Sequence, residues 1–82
     1  MQDTSRHIDV WEDCLRIIKS NILPEQYETW FKPIRAVDLC DDVLTLEVPS
    51  SFYCSYIEEN FLDLLSRTLK RVISPNAKLR YK

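Results

Sequence analysis

Eighty-two residues carrying a net charge of −2, 45% hydrophobic and 29% charged, fit one small globular domain, and not one of them is glycine. A chain of this length with average usage holds about six glycines. Their absence excludes the dinucleotide fingerprint, the Walker A loop, the kinase glycine loop and the GxxG nucleic-acid clamp, which bring backbone amides onto a phosphate where a Cβ would intrude.

The first predicted element is an amphipathic helix over residues 8–22. Trp11, Cys14, Leu15, Ile18 and Ile22 recur at three- and four-residue spacing as one apolar stripe. Asp9 followed by Glu12 resembles a capping box, and Asn21 suits a helix end. A short second helix is expected over 24–32, with Pro24 in its first turn, Glu25 and Glu28 near the positive end of the dipole, and Pro33 stopping it.

The period then changes to two. Ile34, Ala36 and Leu39 suggest a first strand whose alternation Val37 blurs, and Leu44, Leu46 and Val48 alternate with Thr45 and Glu47 as a second. Cys40-Asp41-Asp42 is the hairpin connection, where Asp takes the left-handed geometry that glycine would otherwise supply. With no glycine available, Asn21, Asp41, Asp42 and Asn76 are the positions expected at positive φ.

Pro49 closes the second strand and a long helix is expected from Ser50-Ser51 to about Ile73, either serine accepting from a first-turn amide. Its predicted buried stripe is Tyr53, Ile57, Phe61, Leu64, Leu65, Leu69 and Val72. Ser74-Pro75-Asn76 breaks it, and Ala77, Leu79 and Tyr81 alternate with Lys78 and Arg80 as a last strand. The order α-α-β-β-α-β predicts an α+β fold, a small three-stranded sheet packed against helices, as a single domain over 1–82 with its ordered core at about 8–82.

Little here supports catalysis. His7, the only imidazole, lies in the polar N-terminal segment, and Cys14, Cys40 and Cys54 form no CxxC pair. An odd number of well-separated cysteines suits reduced thiols in a cytoplasmic setting, and no zinc set is recognisable. Asp41-Asp42 and Glu58-Glu59 read as solvated charges without a sheltering pocket. No apolar run approaches the roughly 20 residues of a membrane span, and the N-terminus MQDTSRHID has no apolar signal-peptide core.

Two features point to binding. All thirteen acids fall in residues 1–63, whereas residues 64–82 hold six bases and no acid. Arg67, Lys70, Arg71, Lys78 and Arg80 thus form either a basic edge for phosphate, or cations that favour a helix C-terminus and guard an edge strand. Phe52 flanks the predicted buried stripe in a first helical turn, where an exposed aromatic would anchor a protein partner.

VWEDCL (10–15), QYETWFKPI (26–34), LTLEVPSSF (44–52) and FLDLL (61–65) together resemble the N-terminal domain of the bacterial replication initiator DnaA, from about Val10 to Tyr81. The resemblance implies a KH-like fold without a GxxG loop. It also implies a non-enzymatic interaction hub that self-associates, contacts the replicative helicase, docks initiation regulators and binds single-stranded DNA weakly. No cofactor is implied for this domain; ATP or ADP and Mg belong to the parent's ATPase domain. The self-association tryptophan falls on Trp11. The helicase and regulator surface falls on Glu25, Gln26, Thr29, Trp30, Ser50, Phe52 and Tyr53. Gln26 stands where some members carry a functional Glu, and Ser50 where Asn is common. The rival expectation is a KH-like single-stranded nucleic-acid binder that uses the basic C-terminal edge.

Overall fold

The computed structural model describes residues 6–82. The polar stretch 1–5 lies outside the described residues. Helix α1 (Arg6–Lys19) starts two residues earlier than its periodicity suggests, so His7 lies inside it. Asp9 then sits in the first turn rather than at the cap, and the Asp9–Glu12 capping box is not the helix start. Trp11, Cys14 and Ile18 are buried as the stripe requires, with Leu15 and Ile22 packed against them. Beyond Lys19, Asn21 closes the helix through its side chain, whose amide donates to the Ile17 carbonyl at 2.8 Å.

The second helix begins as α2 (Pro24–Gln26) and continues as a π turn over Tyr27–Phe31. The Lys32 amide donates to the Tyr27 carbonyl, five residues back, at 2.9 Å. This wider turn stands directly ahead of Pro33, which has no N–H with which to continue a helix.

Strands β1 (Arg35–Cys40) and β2 (Val43–Glu47) form an antiparallel hairpin. Its register shifts between Ala36 and Asp38, so Val37 is the extra residue of a bulge. That bulge is why the sequence alternation blurs there. Asp41 and Asp42 make the turn at φ 51° and 65°, and among the described residues only these two have positive φ. Asn21 and Asn76 do not, contrary to expectation: each ends its element through side-chain or turn hydrogen bonds that need no left-handed residue.

The expected long helix is two helices, α3 (Ser51–Asn60) and α4 (Leu62–Val72), separated at Phe61 by φ −129° and ψ 8°. The Asn60 side chain donates to the Tyr56 carbonyl at 3.0 Å, competing with the backbone ladder where the helix bends. Phe61 turns into the core against Phe31, with ring centroids 5.2 Å apart. Nor does either serine cap α3: Ser50 is the cap residue, but its side chain makes no capping bond and its carbonyl receives the Tyr53 amide instead.

Strand β3 (Lys78–Tyr81) pairs in parallel with β2, giving the order β1-β2-β3. The α3–α4 pair is the crossover that a parallel pairing needs. Ser74 donates to the Asp42 carboxylate at 2.9 Å and the Lys78 amide to the Asp42 carbonyl, fastening the start of β3 to the hairpin turn. Leu44 and Leu46 of the central strand are fully buried with Phe31, Ile34, Ile57, Leu65 and Leu69, so the helices cover one face of the sheet.

Candidate protein-docking site

Four aromatic rings meet where the π turn crosses the start of α3. Trp30 stacks on Tyr56 with centroids 3.7 Å apart and planes within 7°. Tyr53 meets its edge at 5.2 Å and Phe52 tilts against it at 5.9 Å. Trp30 and Tyr56 are half-buried and pack on the core, whereas Phe52 is 65% exposed, the most exposed large apolar side chain among the described residues. A packed ring cluster of this kind is rigid and apolar with a polar edge, the surface chemistry of a protein anchor.

The neighbouring candidates divide by what they are doing. Gln26 is half-buried and its side-chain oxygen accepts from the Leu23 amide at 3.0 Å, holding the start of α2. Glu25 and Thr29 are exposed on the same short helix, and Glu28 pairs with Lys32 at 3.1 Å. Ser50 is exposed at the cap of α3, beside Phe52. Tyr53, expected in the buried stripe, is only half-buried, and Tyr56 takes the place against the core. Its four-residue spacing from Phe52 was the signal for Tyr56; Leu23, which precedes α2, is 60% exposed.

The structure keeps Trp11 apart from this cluster. It is 4% exposed and forms the floor of a shallow groove between α1 and β1, lined also by Ile8, Leu15, Arg35 and Ala36. Its indole Nε1 is buried without a hydrogen-bond partner. Ile8, 46% exposed, is the accessible apolar residue there.

Arg67, Lys70 and Arg71 lie three and four residues apart on α4. Arg67 and Arg71 line a groove against Ile17 and Asn21 of the first helical layer, and Arg67 pairs with Asp63 at 3.1 Å. Lys70 and Lys78 line a second cleft, with Asp41 on its rim. Arg80 is exposed one outward step along β3 from Lys78.

The cysteines have no activated thiol among them. Burial, then Asp13, pushes Cys14 up to about 12; Asp41 foremost raises exposed Cys40, and burial with Glu58 raises Cys54. Burial, with Glu58 and Cys54 nearby, also holds the Tyr81 phenol above its usual range, and its hydroxyl has no partner. Among the described residues no three His, Cys, Asp or Glu side chains gather as a metal set, and no helix is long and apolar enough to cross a membrane.

Fold and surface thus define a small α+β domain of KH-like topology that lacks the glycine clamp and displays a braced aromatic cluster. The DnaA N-terminal domain family model matches residues 9–71, and the chain belongs to that family. It is 47% identical over 73 residues to the chromosomal replication initiator protein DnaA of Porphyromonas gingivalis, covering 89% of this chain and 15% of that protein. The DnaA proteins of Flavobacterium psychrophilum and Bacteroides fragilis are 45% and 42% identical over 73 and 77 residues, covering 89% and 94% of this chain and 15% and 16% of those proteins. The chain therefore spans about 15% of the length of the curated relatives it matches.

Proposed function

We propose that this domain recruits protein partners for a bacterial replication initiator, with the Trp30–Phe52–Tyr53 cluster as the docking surface for the replicative helicase or an initiation regulator. The observation that carries this reading is Phe52, 65% exposed yet held against Trp30, which Tyr56 stacks from below. An exposed ring on a braced platform loses little side-chain freedom on binding, so most of its burial is available as affinity. Glu25, Thr29, Ser50 and the free amide nitrogen of Gln26 form the polar rim. One surface serving several partners makes helicase and regulator mutually exclusive. ATP chemistry belongs to other parts of the initiator, in the bacterial cytoplasm, and this domain takes no part in catalysis.

Phe52→Ala tests the surface, because it removes an exposed ring and leaves the core intact. Helicase capture is expected to weaken at least about tenfold, with the circular dichroism spectrum unchanged. Unchanged capture of both helicase and regulator by a folded variant places the surface elsewhere. The rival, single-stranded DNA binding through Arg67, Lys70, Arg71, Lys78 and Arg80, is separated by a salt titration, since phosphate binding falls steeply with salt.

For self-association, we propose a second, weaker contact at the α1–β1 groove, whose lining includes Trp11 and Ile8. Ile8→Glu is the cleaner probe of it, since Trp11 is itself part of the core. Sedimentation of Ile8→Glu identical to that of the unmodified chain rejects this contact.

A further inference from the structure

Charge is segregated along the outward side of α3 and α4 in a way that neither contact above uses. Glu58 and Glu59 lie near the end of α3, Leu62 (49% exposed) and Asp63 open α4, and Ser66 and Lys70 follow at four-residue steps from Leu62. Lys78 enters beside Lys70 from β3. Two open concavities meet at Ser66, one lined by Glu58, Glu59, Leu62 and Asp63, the other by Lys70 and Lys78 with Asp41 at its rim. Glu58, Glu59, Lys70 and Lys78 take part in no ion pair among the described residues, whereas Asp63 is matched by Arg67.

We propose that this face docks a second copy of the same chain, α4 against α4 in antiparallel fashion, about a two-fold axis at Ser66. The sequence positions are self-complementary about that point. Leu62 and Lys70 lie four residues to either side of Ser66, about 6 Å of helix each way. The two-fold rotation sets each Leu62 against the aliphatic stem of the other copy's Lys70. Glu58 and Glu59 then bracket the Lys70 and Lys78 ammonium groups, and the reciprocal contact repeats across the axis, as an isologous interface requires. A serine at the crossing lets two helices approach to the usual 8–10 Å. One exposed leucine and a few solvated ion pairs make a weak contact, which gains weight when several initiators are held close together. It shares no residue with the Ile8–Trp11 groove, so the two contacts together would join copies into a row rather than a closed pair.

The test is sedimentation equilibrium of the 82-residue chain carrying Ile8→Glu, at about 50 mM salt where exposed charges are least screened. That protein is expected to associate reversibly, and Glu59→Lys or Lys70→Glu added to it should weaken association at least about tenfold. A one-to-one mixture of the two reversed proteins restores it, because each then presents the complement of the other. Reversals without effect, a mixture no tighter than its components, or a monomer at every concentration each overturn the proposal. That last result leaves the α1 contact standing and frees this face for a partner of other chemistry. If the reversals act in the unmodified chain while Ile8→Glu changes nothing, the α1 contact fails and this one stands.

Discussion

Trp11 and Trp30 are the two tryptophans of this chain, each on a helix and each with an apolar stripe around it, but the fold treats them differently. Trp11 is 4% exposed beside Cys14 and Ile18, and its indole nitrogen has no partner. Trp30 is half-buried, stacked on Tyr56 and flanked at the surface by Tyr53 and Phe52. One indole stabilises the domain through burial, and the other shapes a surface. Substitutions at the two sites should therefore separate stability from binding.

Trp11→Ala should have the largest effect. Loss of a core indole costs about 3–5 kcal/mol, a large part of the roughly 4–12 kcal/mol expected for a domain of this size. A urea denaturation curve measures it, and a midpoint close to that of the unmodified chain would show that the groove floor is not core. The same region should respond to alkaline pH through Cys14. Its thiol, pushed up to about 12 by burial and Asp13, stays protonated in the folded chain after the unfolded chain has ionised near pH 9. The stabilisation is complete below pH 9 and is lost as pH rises toward 12, amounting to about 2–3 kcal/mol by pH 11. Denaturation at pH 8 and 11 should show this drop, and Cys14→Ala should reduce it, leaving the part contributed by Tyr81, whose phenol burial also holds protonated.

On the Trp30 side, Trp30→Ala should cost about 1–3 kcal/mol, less than Trp11→Ala, since it removes a stack, an edge contact and a tilted contact from a side chain that is half-buried rather than in the core. Its effect on partner capture should match or exceed that of Phe52→Ala. A stability loss as large as that of Trp11→Ala would erase the contrast between the two sites. The smallest effect is expected at Tyr81, whose buried hydroxyl has no partner. Tyr81→Phe should leave the neutral-pH stability unchanged or raise it by up to about 1 kcal/mol, because it removes an unpaired polar group. Thermal denaturation checks it, and a clear loss would reveal a hydrogen bond to water.

Much of this division was legible before the fold was known. The stripe of Trp11, Cys14 and Ile18 followed from helical spacing, the Asp41-Asp42 turn from the lack of glycine, and the exposure of Phe52 from its place beside the stripe. Other features were not legible, for physical reasons. The break at Phe61 comes with its ring packed against Phe31, a partner from another part of the chain. Asn21 and Asn76 are acceptable left-handed residues, but hydrogen bonds in their own turns left no need for that geometry. Ser50 can cap in principle, yet its hydroxyl makes no such bond here. Tyr53 and Tyr56 are equally aromatic in sequence, and only the approach of the π turn selects Tyr56 to stack on Trp30.

The glycine-free composition excluded phosphate-cradling loops outright and sent the one left-handed turn to a pair of aspartates, because steric limits on φ act within a residue and its immediate neighbours. Element order and the apolar faces were likewise local, written in periods of two and 3.6. Tertiary packing decided the rest. It buried one tryptophan and left the other at a surface, and it bent a predicted single helix into two. Each of those outcomes depends on which chain segment arrives opposite, and no local pattern contains that information.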